Sequence, residues 1–320
     1  MDYHHRECRR EIVMNKVHDL IIIGSGPAGL TASIYASRAE LDTIIIEKNM
    51  MSGGQIINTY EVDNYPGIPG ISGFDLALKF REHCDKLGAT FVEGDVVSFA
   101  VQDKIKKVTL DSGEEYLAKA VIIATGAVTR KLGVVGEEEM SGMGVSYCAT
   151  CDGAFFKNRT TAVVGGGDVA VEDAIYLARL CKKVYVIHRR DEFRAAKTLV
   201  SRLLTLDNVE IIWDSVVEEI LGDEFVESVK LKNVKTEENS LVTVDGVFIA
   251  VGYNPASEVY REIVNVDQSG YIVADESCET NVPGVFAAGD IRTKLLKQII
   301  TAASDGANAI TSVEKYLSTL

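Results

Sequence analysis

The stretch Asp19–Gly29, which reads DLIIIGSGPAG, decides the fold of this chain. Its apolar start predicts a buried strand, and its glycines predict a tight turn that opens an amphipathic helix. A second apolar run, Thr43–Ile46, ends at Glu47, which lies 18 residues after Gly29. Strand, glycine turn, helix, strand and acid at this spacing are typical of a dinucleotide-binding fold.

Each residue of this motif has a physical role. Gly24 permits the tight turn, Gly26 lets the backbone approach a pyrophosphate, and Gly29 lets the helix pack closely on the strand. The start of the helix presents unpaired N–H groups and a partial positive charge to phosphates. Glu47 can accept hydrogen bonds from ribose hydroxyls, which suits the adenosine of FAD. The alternative is an ordinary glycine-rich turn.

The same pattern returns near residue 161. The apolar run Thr161–Val164 leads into Gly165–Ala170 (GGGDVA), and a further strand, Val184–Ile187, follows the predicted helix. Next comes His188–Arg194 (HRRDEFR), which has three arginines where the first fold has an acid. A 2′-phosphate carries about two negative charges, which guanidinium groups bind and an acid repels. This second fold predicts NADPH, and the alternative is a solvated basic turn.

Two of the six cysteines, Cys148 and Cys151, form a CxxC motif just before the second nucleotide strand. A zinc site needs four ligands, and no other cysteine or histidine lies at ligand spacing from this pair. A redox-active pair is the favoured interpretation, and a purely structural pair is the alternative. Asp152 follows directly and can serve as a proton donor, although an isolated aspartate is more often a cap or turn residue.

Composition excludes several classes of protein. The 320-residue chain has a net charge of −14, opposite in sign to that of most nucleic-acid-binding proteins. Its longest apolar runs have the length of buried strands, so we expect no membrane span. Residues 1–13 have no apolar core of a signal peptide and are expected to be a disordered extension or a misassigned start. We expect a cytoplasmic protein.

The order of the motifs predicts an α/β protein with two Rossmann-like dinucleotide-binding domains, one inserted into the other. Gly284–Asp290 (GVFAAGD) reads as a strand that returns to the first domain, and Asp290 at its end can bind a ribitol hydroxyl. We therefore predict an FAD-binding domain from residues 14–128 and 254–320. The NADPH-binding domain, with the CxxC motif, would comprise residues 129–253.

Together these motifs resemble those of bacterial low-molecular-weight thioredoxin reductases, over roughly residues 17–320. The resemblance is carried by GSGPAG, GGQIINTYEVDNYPG, ATG, CATCDG, GGGDVAVEDA, HRRDEFRA and GVFAAGD. It implies a homodimer that passes a hydride from NADPH to FAD, then electrons to a Cys148–Cys151 disulfide, and finally reduces thioredoxin. Cys151 would face the flavin, Cys148 would attack thioredoxin, and Asp152 would be the acid.

The motifs and the resemblance predict these cofactor contacts. Those for FAD are Gly24, Ser25, Gly26, Pro27, Ala28, Gly29, Glu47, Gly54, Gln55, Asn64, Val96, Thr125, Gly126, Gly289, Asp290, Lys297 and Gln298. Those for NADPH are Gly165, Gly167, Asp168, Val169, Glu172, His188, Arg189, Arg190 and Arg194. The family usually has arginine where this chain has Lys297, and lysine keeps the charge but loses the planar fork.

Four alternatives are weighed against this interpretation. A reductase of another redoxin, such as a peroxiredoxin-reducing protein, usually carries an extra N-terminal redoxin domain, whereas only some 16 residues precede the first predicted strand here, so the partner would act in trans. A ferredoxin–NADP reductase relative would lack the CxxC motif. Relatives fed by ferredoxin or by another flavin lack the nicotinamide motifs that this chain keeps. A non-catalytic redox sensor would not turn over NADPH with a disulfide substrate.

Overall fold

The computed structural model describes residues 16–59, 62 and 64–320, and for Asn58 and Cys151 it describes the backbone alone. The predicted extension, residues 1–13, lies outside the described residues. The chain divides into two compact units, Met1–Val128 with Asn254–Leu320, and Thr129–Tyr253. The second unit is therefore inserted into the sequence of the first.

The elements follow in chain order. The strands are β1 Val17–Ile23, β2 Thr43–Glu47, β3 Thr90–Glu93, β4 Val96–Gln102, β5 Ile105–Leu110, β6 Glu115–Ile123, β7 Ala127–Thr129, β8 Val145–Ser146, β9 Thr160–Gly165, β10 Lys183–Ile187, β11 Val209–Ile212, β12 Ser215–Gly222, β13 Val226–Asn233, β14 Asn239–Thr243, β15 Gly246–Ala250, β16 Tyr253–Pro255 and β17 Val285–Ala287. The α-helices are α1 Pro27–Arg38, α2 Gly73–Lys86, α3 Ala149–Asp152, α4 Asp168–Ala178, α5 Lys197–Leu203 and α6 Ile299–Leu317. Short 3₁₀ turns cover Gly54–Asn58, Gly153–Phe156 and Gly289–Ile291.

The first unit is built on a sheet in the order β3-β2-β1-β6-β5-β4, with β17 also paired to β6. Strands β3, β2, β1, β6 and β17 run parallel to their neighbours, whereas β4 and β5 form an antiparallel ladder onto β6. Both faces of β1 are buried: Ile21 and Ile23 pack in one core, and Leu20 and Ile22 pack in the other. The continuous apolar run of the sequence reflects this two-sided burial, as expected for a parallel strand.

The second unit repeats this arrangement on a smaller scale. Its parallel sheet has the order β11-β10-β9-β15-β8, and a separate antiparallel sheet has the order β12-β13-β14. Val163 of β9 packs in one core, whereas Ala162 and Val164 pack in the other. The predicted α/β class is therefore confirmed, with a parallel nucleotide-type sheet in each unit. No helix in the described part of the chain combines the length and the hydropathy needed to cross a bilayer.

Candidate functional site

The first glycine turn connects β1 to α1, and each of its glycines has a different steric environment. Gly24 has φ +99°, and a Cβ there would lie 2.5 Å from the carbonyl oxygen of Ala124. A Cβ on Gly29 would lie 1.9 Å from the carbonyl oxygen of Gly24, so the helix packs directly on the turn. A Cβ on Gly26 would meet nothing within 4 Å. The turn therefore leaves open space at Gly26, where a ligand phosphate needs close access to the backbone.

Glu47 holds this turn in place. Its Oε2 accepts hydrogen bonds from the backbone N–H and the hydroxyl of Ser25, at 2.8 and 2.6 Å. Its Oε1 accepts two more from the backbone and side chain of Asn49, both at 2.9 Å. A carboxylate accepts about four hydrogen bonds, so ribose hydroxyls would compete with Asn49. The ribose role of Glu47 remains a prediction, and its contact with Ser25 is a role that the sequence did not indicate.

Two further turns of the first unit lie against the glycine turn. A Cβ on Gly54 would come 3.3 Å from Cα of Gly26. A Cβ on Gly289 would come 2.9 Å from Cβ of Ala28. The 3₁₀ turns that begin at Gly54 and at Gly289 thus pack closely on the glycine turn. Three segments that are distant in sequence therefore form one site.

The side chain of Asp290 has an oxygen whose hydrogen-bonding capacity is unused, which suits a ligand with hydroxyl groups. Its Oδ1 is buried and accepts no hydrogen bond from any described residue. Burial raises the pKa of Asp290, and the nearby charge of Lys297 partly opposes that shift. A buried carboxylate oxygen without a donor is energetically costly, and a ribitol hydroxyl would satisfy it. The residues present therefore fit FAD.

The other polar side chains predicted for FAD already have protein partners. Gln55 donates to the carbonyl of Ala127, and the Thr125 hydroxyl donates to the carbonyl of Ala256 at 3.0 Å. Asn64 donates to the side-chain oxygen of Gln298 at 2.8 Å. These contacts fix the orientation of the amides within the first unit.

Gln298 and Lys297 lie at the start of α6. Gln298 is the N-cap of the helix, where its side chain and Thr301 form a reciprocal capping box. Lys297 donates to the carbonyl of Asp290 at 3.1 Å, and its Nζ lies 2.9 Å from the centre of the Tyr271 ring. Burial lowers the pKa of Lys297 to about 8.

Four further predicted FAD contacts also lie in the first unit. The side chain of Val96 is buried in the core of the first unit, so only its backbone is available to a ligand. Gly126 has φ +64°, and a Cβ there would meet nothing within 4 Å. Ser25 is buried beneath Glu47, and Pro27 is the first residue of α1, where proline is well tolerated.

The second glycine turn, between β9 and α4, repeats the geometry of the first. Gly165 has φ +153°, and a Cβ there would lie 2.2 Å from the carbonyl oxygen of Ala250. A Cβ on Gly166 would meet the ring of His188 at 2.2 Å, whereas a Cβ on Gly167 would meet nothing within 4 Å. Space for a ligand is again left at the middle of the turn.

The basic segment is tied to this turn by backbone contacts. The N–H of Arg194 donates to the carbonyl of Gly166 at 2.8 Å. Asp168, the first residue of α4, accepts a hydrogen bond from the N–H of Ala196 at 2.7 Å. Val169 and Glu172 are exposed on the first turns of the same helix. The basic segment and the glycine turn are thus in contact, and Asp168 contacts the chain rather than open space.

The three arginines are available to an anion. Arg189, Arg190 and Arg194 are exposed, and none forms an ion pair with a described carboxylate. The neighbouring Asp191 is neutralised by Lys235 at 3.0 Å. Their positive charges also act on a buried imidazole: burial lowers the pKa of His188, and the three arginine charges lower it further.

His188, which directly precedes Arg189, is buried. Its Nε2 lies 3.1 Å from the carbonyl of Glu192, and its ring stacks on Phe193 with 5.6 Å between ring centres. Because the pKa of His188 is lowered, this residue is neutral near pH 7. The positive charge of the segment therefore comes from the arginines alone.

Cys148 is disulfide-bonded, whereas Cys84, Cys181 and Cys278 are free and buried. Burial raises the pKa of the Cys84 thiol to about 11 and that of Cys278 to about 12, so both are poor nucleophiles. The side chain of Cys151 lies outside the described residues. Cys148 therefore differs chemically from these buried free thiols, and its pairing with Cys151 stays a prediction.

Ser146 organises the surroundings of Cys148, and sequence reasoning did not find it. Its hydroxyl donates to Oδ2 of Asp152 at 2.6 Å and accepts from the N–H of Cys148 at 3.0 Å. The Cys148 sulfur also lies 3.3 Å from the hydroxyl of Thr150. One serine hydroxyl thus hydrogen-bonds both the backbone of Cys148 and the predicted acid. No motif marks a serine two residues before a CxxC pair, which is why it was missed.

Known proteins of one family are similar to this chain over most of its length. The family described as pyridine nucleotide-disulphide oxidoreductase matches residues 18–306. A thioredoxin reductase of Listeria innocua is 50% identical over 306 residues, which cover 95% of this chain and 95% of that protein. One of Bacillus subtilis is 46% identical over 306 residues, with 95% and 96% covered.

A solved structure gives the same result. The crystal structure of Lactococcus lactis thioredoxin reductase is 44% identical to this chain and superposes with a TM-score of 0.92. The match covers 95% of this chain and 100% of that chain. This chain belongs to the pyridine nucleotide-disulphide oxidoreductase family and, within it, to the family of the thioredoxin reductases.

Proposed function

We propose that this protein is an NADPH-dependent, FAD-containing thioredoxin-disulfide reductase. The observation that carries the proposal is the disulfide-bonded Cys148. Its backbone N–H and the Asp152 carboxylate both hydrogen-bond to the Ser146 hydroxyl, and it lies in the same unit as the second glycine turn and the three arginines. The overall reaction would take a hydride, which is two electrons and one proton, from NADPH and one further proton from solution to convert one disulfide into two thiols. The high identity to thioredoxin reductases over 95% of the chain supports thioredoxin as the substrate.

The second unit, residues 129–253, is the proposed NADPH-binding domain. The open backbone at Gly167 and the N-terminus of α4 would receive the pyrophosphate. Arg189, Arg190 and Arg194 would bind the 2′-phosphate, because they are exposed and have no carboxylate partner among the described residues. Charge-assisted hydrogen bonds contribute about 1.5–3 kcal/mol each, enough to select NADPH over NADH.

The first unit, residues 14–128 and 254–320, is the proposed FAD-binding domain. Gly24, Gly26 and the start of α1 would hold the pyrophosphate, and Asp290 would accept a ribitol hydroxyl. Gln55, Asn64 and Gln298 would present their amides to the ring system. When bound, FAD supplies the means to accept a hydride and to pass an electron pair to a disulfide.

The Cys148–Cys151 pair would carry the electrons to the substrate. After reduction of the pair, the Cys148 thiolate would attack a sulfur of the thioredoxin disulfide and release the other sulfur as a thiolate. Cys151 would then attack Cys148, which reforms the internal disulfide and frees reduced thioredoxin. Asp152 would hold the required proton on Oδ1, because Ser146 already occupies Oδ2.

Two further features of the proposal follow from the family alone. Thioredoxin reductases of this type are homodimers, so we propose a homodimer. We also propose a cytoplasmic location, where a pool of NADPH and reduced thiols is maintained.

Anaerobic titration of the yellow protein with NADPH, followed by oxidised thioredoxin, tests the proposal. NADPH should bleach the flavin absorbance, and thioredoxin should restore it. If NADPH does not bleach the flavin, the second glycine turn is misinterpreted and an enzyme fed by ferredoxin or another flavin is the better account. If only thioredoxin has no effect, the reductase uses another disulfide substrate.

The substitution Cys151→Ser isolates the disulfide from the two nucleotide sites. The variant should stay yellow and oxidise NADPH slowly with oxygen, while thioredoxin reduction stops because no internal disulfide can form. The matched control is Cys181→Ser, which changes a buried free thiol of the same unit and should keep the full rate. Thioredoxin reduction retained by Cys151→Ser would contradict the dithiol assignment.

A further inference from the structure

The first unit contains a buried cluster of charges that no sequence motif indicated. Asp305 lies within α6, and only 2% of its surface is exposed. Its carboxylate accepts hydrogen bonds from Nε and Nη2 of Arg292, at 2.8 and 2.7 Å. It accepts another from Nζ of Lys294, at 2.8 Å. Since Arg292 is also only 2% exposed, one carboxylate serves two cations in the protein interior.

The same carboxylate also holds the backbone. Oδ2 of Asp305 accepts a hydrogen bond from the N–H of Gly289 at 2.8 Å. Gly289 begins the 3₁₀ turn Gly289–Ile291, and Arg292 is the residue directly after that turn. Asp305 therefore ties down both ends of the turn, and Asp290 lies between them.

Stability alone is a weak reason for this arrangement. Burial would raise the pKa of Asp305, but the hydrogen bonds from Arg292 and Lys294 lower it overall, so the carboxylate is ionised near pH 7. Desolvating three charged groups costs so much that apolar residues of similar volume often stabilise a protein at least as well. The presence of this cluster is better explained by its effect on the Gly289–Ile291 turn, which it holds in one conformation.

The turn that Asp305 holds contains Asp290, whose Oδ1 has an unsatisfied hydrogen-bonding capacity. Oδ1 of Asp290 is buried and has no hydrogen-bond partner among the described residues. The turn also packs against α1, because a Cβ on Gly289 would lie 2.9 Å from Cβ of Ala28. A shift of the turn would therefore move Asp290 relative to the glycine turn that is proposed to hold the pyrophosphate.

We propose that Asp305 is a positioning residue of the flavin site: by holding both ends of the Gly289–Ile291 turn, it keeps the Asp290 carboxylate in place to accept a hydrogen bond from FAD. Arg292 acts with it as the link to the second end of the turn. This inference rests on the FAD site of the proposed function and adds to it residues that do not touch the cofactor.

The test is the dissociation constant for FAD, measured as the fluorescence of flavin released when the holoprotein is diluted. Asp305→Asn should weaken FAD binding about 10- to 100-fold, the scale of one or two charge-assisted hydrogen bonds. Asp290→Asn should weaken it by a similar factor. The double variant should bind FAD hardly more weakly than Asp290→Asn alone, because Asp305 acts through Asp290.

The matched control is Glu276→Gln, which removes an exposed carboxylate 3.8 Å from Arg292 that does not contact the turn. Its FAD affinity should equal that of the wild type. If Asp305→Asn does not fold, Arg292→Lys gives the same comparison, since it keeps the charge and loses the fork. The visible circular dichroism of the bound flavin should change in each turn variant and stay unchanged in the control.

Two results would overturn the inference. One is an unchanged FAD affinity in folded Asp305→Asn or Arg292→Lys. The other is a loss that is fully retained in the Asp290→Asn background, which would indicate a general structural role. A wild-type protein that binds no FAD would instead overturn the proposed function, and this inference with it.

Discussion

The two glycine turns share a backbone and differ in their charges. Gly24 and Gly165 both have positive φ, and in each case a Cβ would collide with a carbonyl of a neighbouring strand end. At the first turn, the acid Glu47 is buried and accepts four hydrogen bonds from the protein. At the second turn, Arg189 and Arg190 are exposed and have no ion-pair partner among the described residues.

This difference matches two kinds of ligand. A buried, fully bonded acid gives a rigid turn, which suits a cofactor that remains bound through many turnovers. Exposed arginines can bind a phosphate and release it at little cost, which suits a cofactor that must leave after each hydride transfer. We propose that the glycines form both sites, and that the residues near the end of the next strand, Glu47 in one and Arg189 and Arg190 in the other, distinguish the two ligands.

Removing the acid should give the largest effect on the first site. Glu47→Ala leaves the N–H and hydroxyl of Ser25 without their acceptor, so the free energy of unfolding should fall by about 2–5 kcal/mol. The FAD affinity should fall with it, because the glycine turn is no longer held. Chemical denaturation and the flavin content of the purified protein measure the two effects.

Glu47→Gln is the control for this prediction. It keeps one side-chain oxygen for Ser25 and should lose less than half as much stability as Glu47→Ala. An alanine variant with wild-type stability and full flavin content would show that the turn does not depend on Glu47.

Removing the arginines should give a smaller and more selective effect on the second site. Arg189→Ala with Arg190→Ala should raise the KM for NADPH about 10- to 100-fold and leave the KM for NADH nearly unchanged, since only NADPH has the 2′-phosphate. Steady-state kinetics with both cofactors provide the measurement.

Lys182→Ala is the matched control, because Lys182 is an exposed cation just before β10, at the opposite end of that strand from the arginines. It should change neither KM. Equal increases for both cofactors in the arginine variant would mean that these side chains do not recognise the phosphate.

The parallel sheets and both glycine turns could be predicted from the sequence because their signals are local. The strands of β1 and β9 are buried on both faces, so they appear as continuous apolar runs that end at glycines.

Other parts could not be predicted because their signals are not local. Strand β5 contains the fully buried Lys106, whose Nζ donates to the hydroxyl of Tyr316 at 2.9 Å, 210 residues away. A lysine at that position hides the apolar alternation of the strand. Asp305 likewise reads as one polar residue in a helix, and its partners Arg292 and Lys294 precede the helix.

The smallest expected effect is a pH dependence of stability that comes from Lys297 of the first site. The arginines of the second turn are exposed, whereas Lys297 is half-buried, and burial lowers the pKa of Lys297 from 10.5 to about 8. Between these two values the unfolded chain binds a proton at Lys297 that the folded chain does not. The folded state therefore gains stability from this residue as the pH rises from 8 to 10.5, and the gain is absent below pH 8.

In Lys297→Arg the charge is kept in both states, so this contribution disappears while the other titrating groups remain the same. The difference in Tm, wild type minus variant, should rise by about 2–4 °C between pH 7 and 10, a modest amount because Lys297 is only half-buried. Scanning calorimetry of both proteins over this range measures the difference. Parallel Tm curves would mean that Lys297 stays charged in the folded protein over this range.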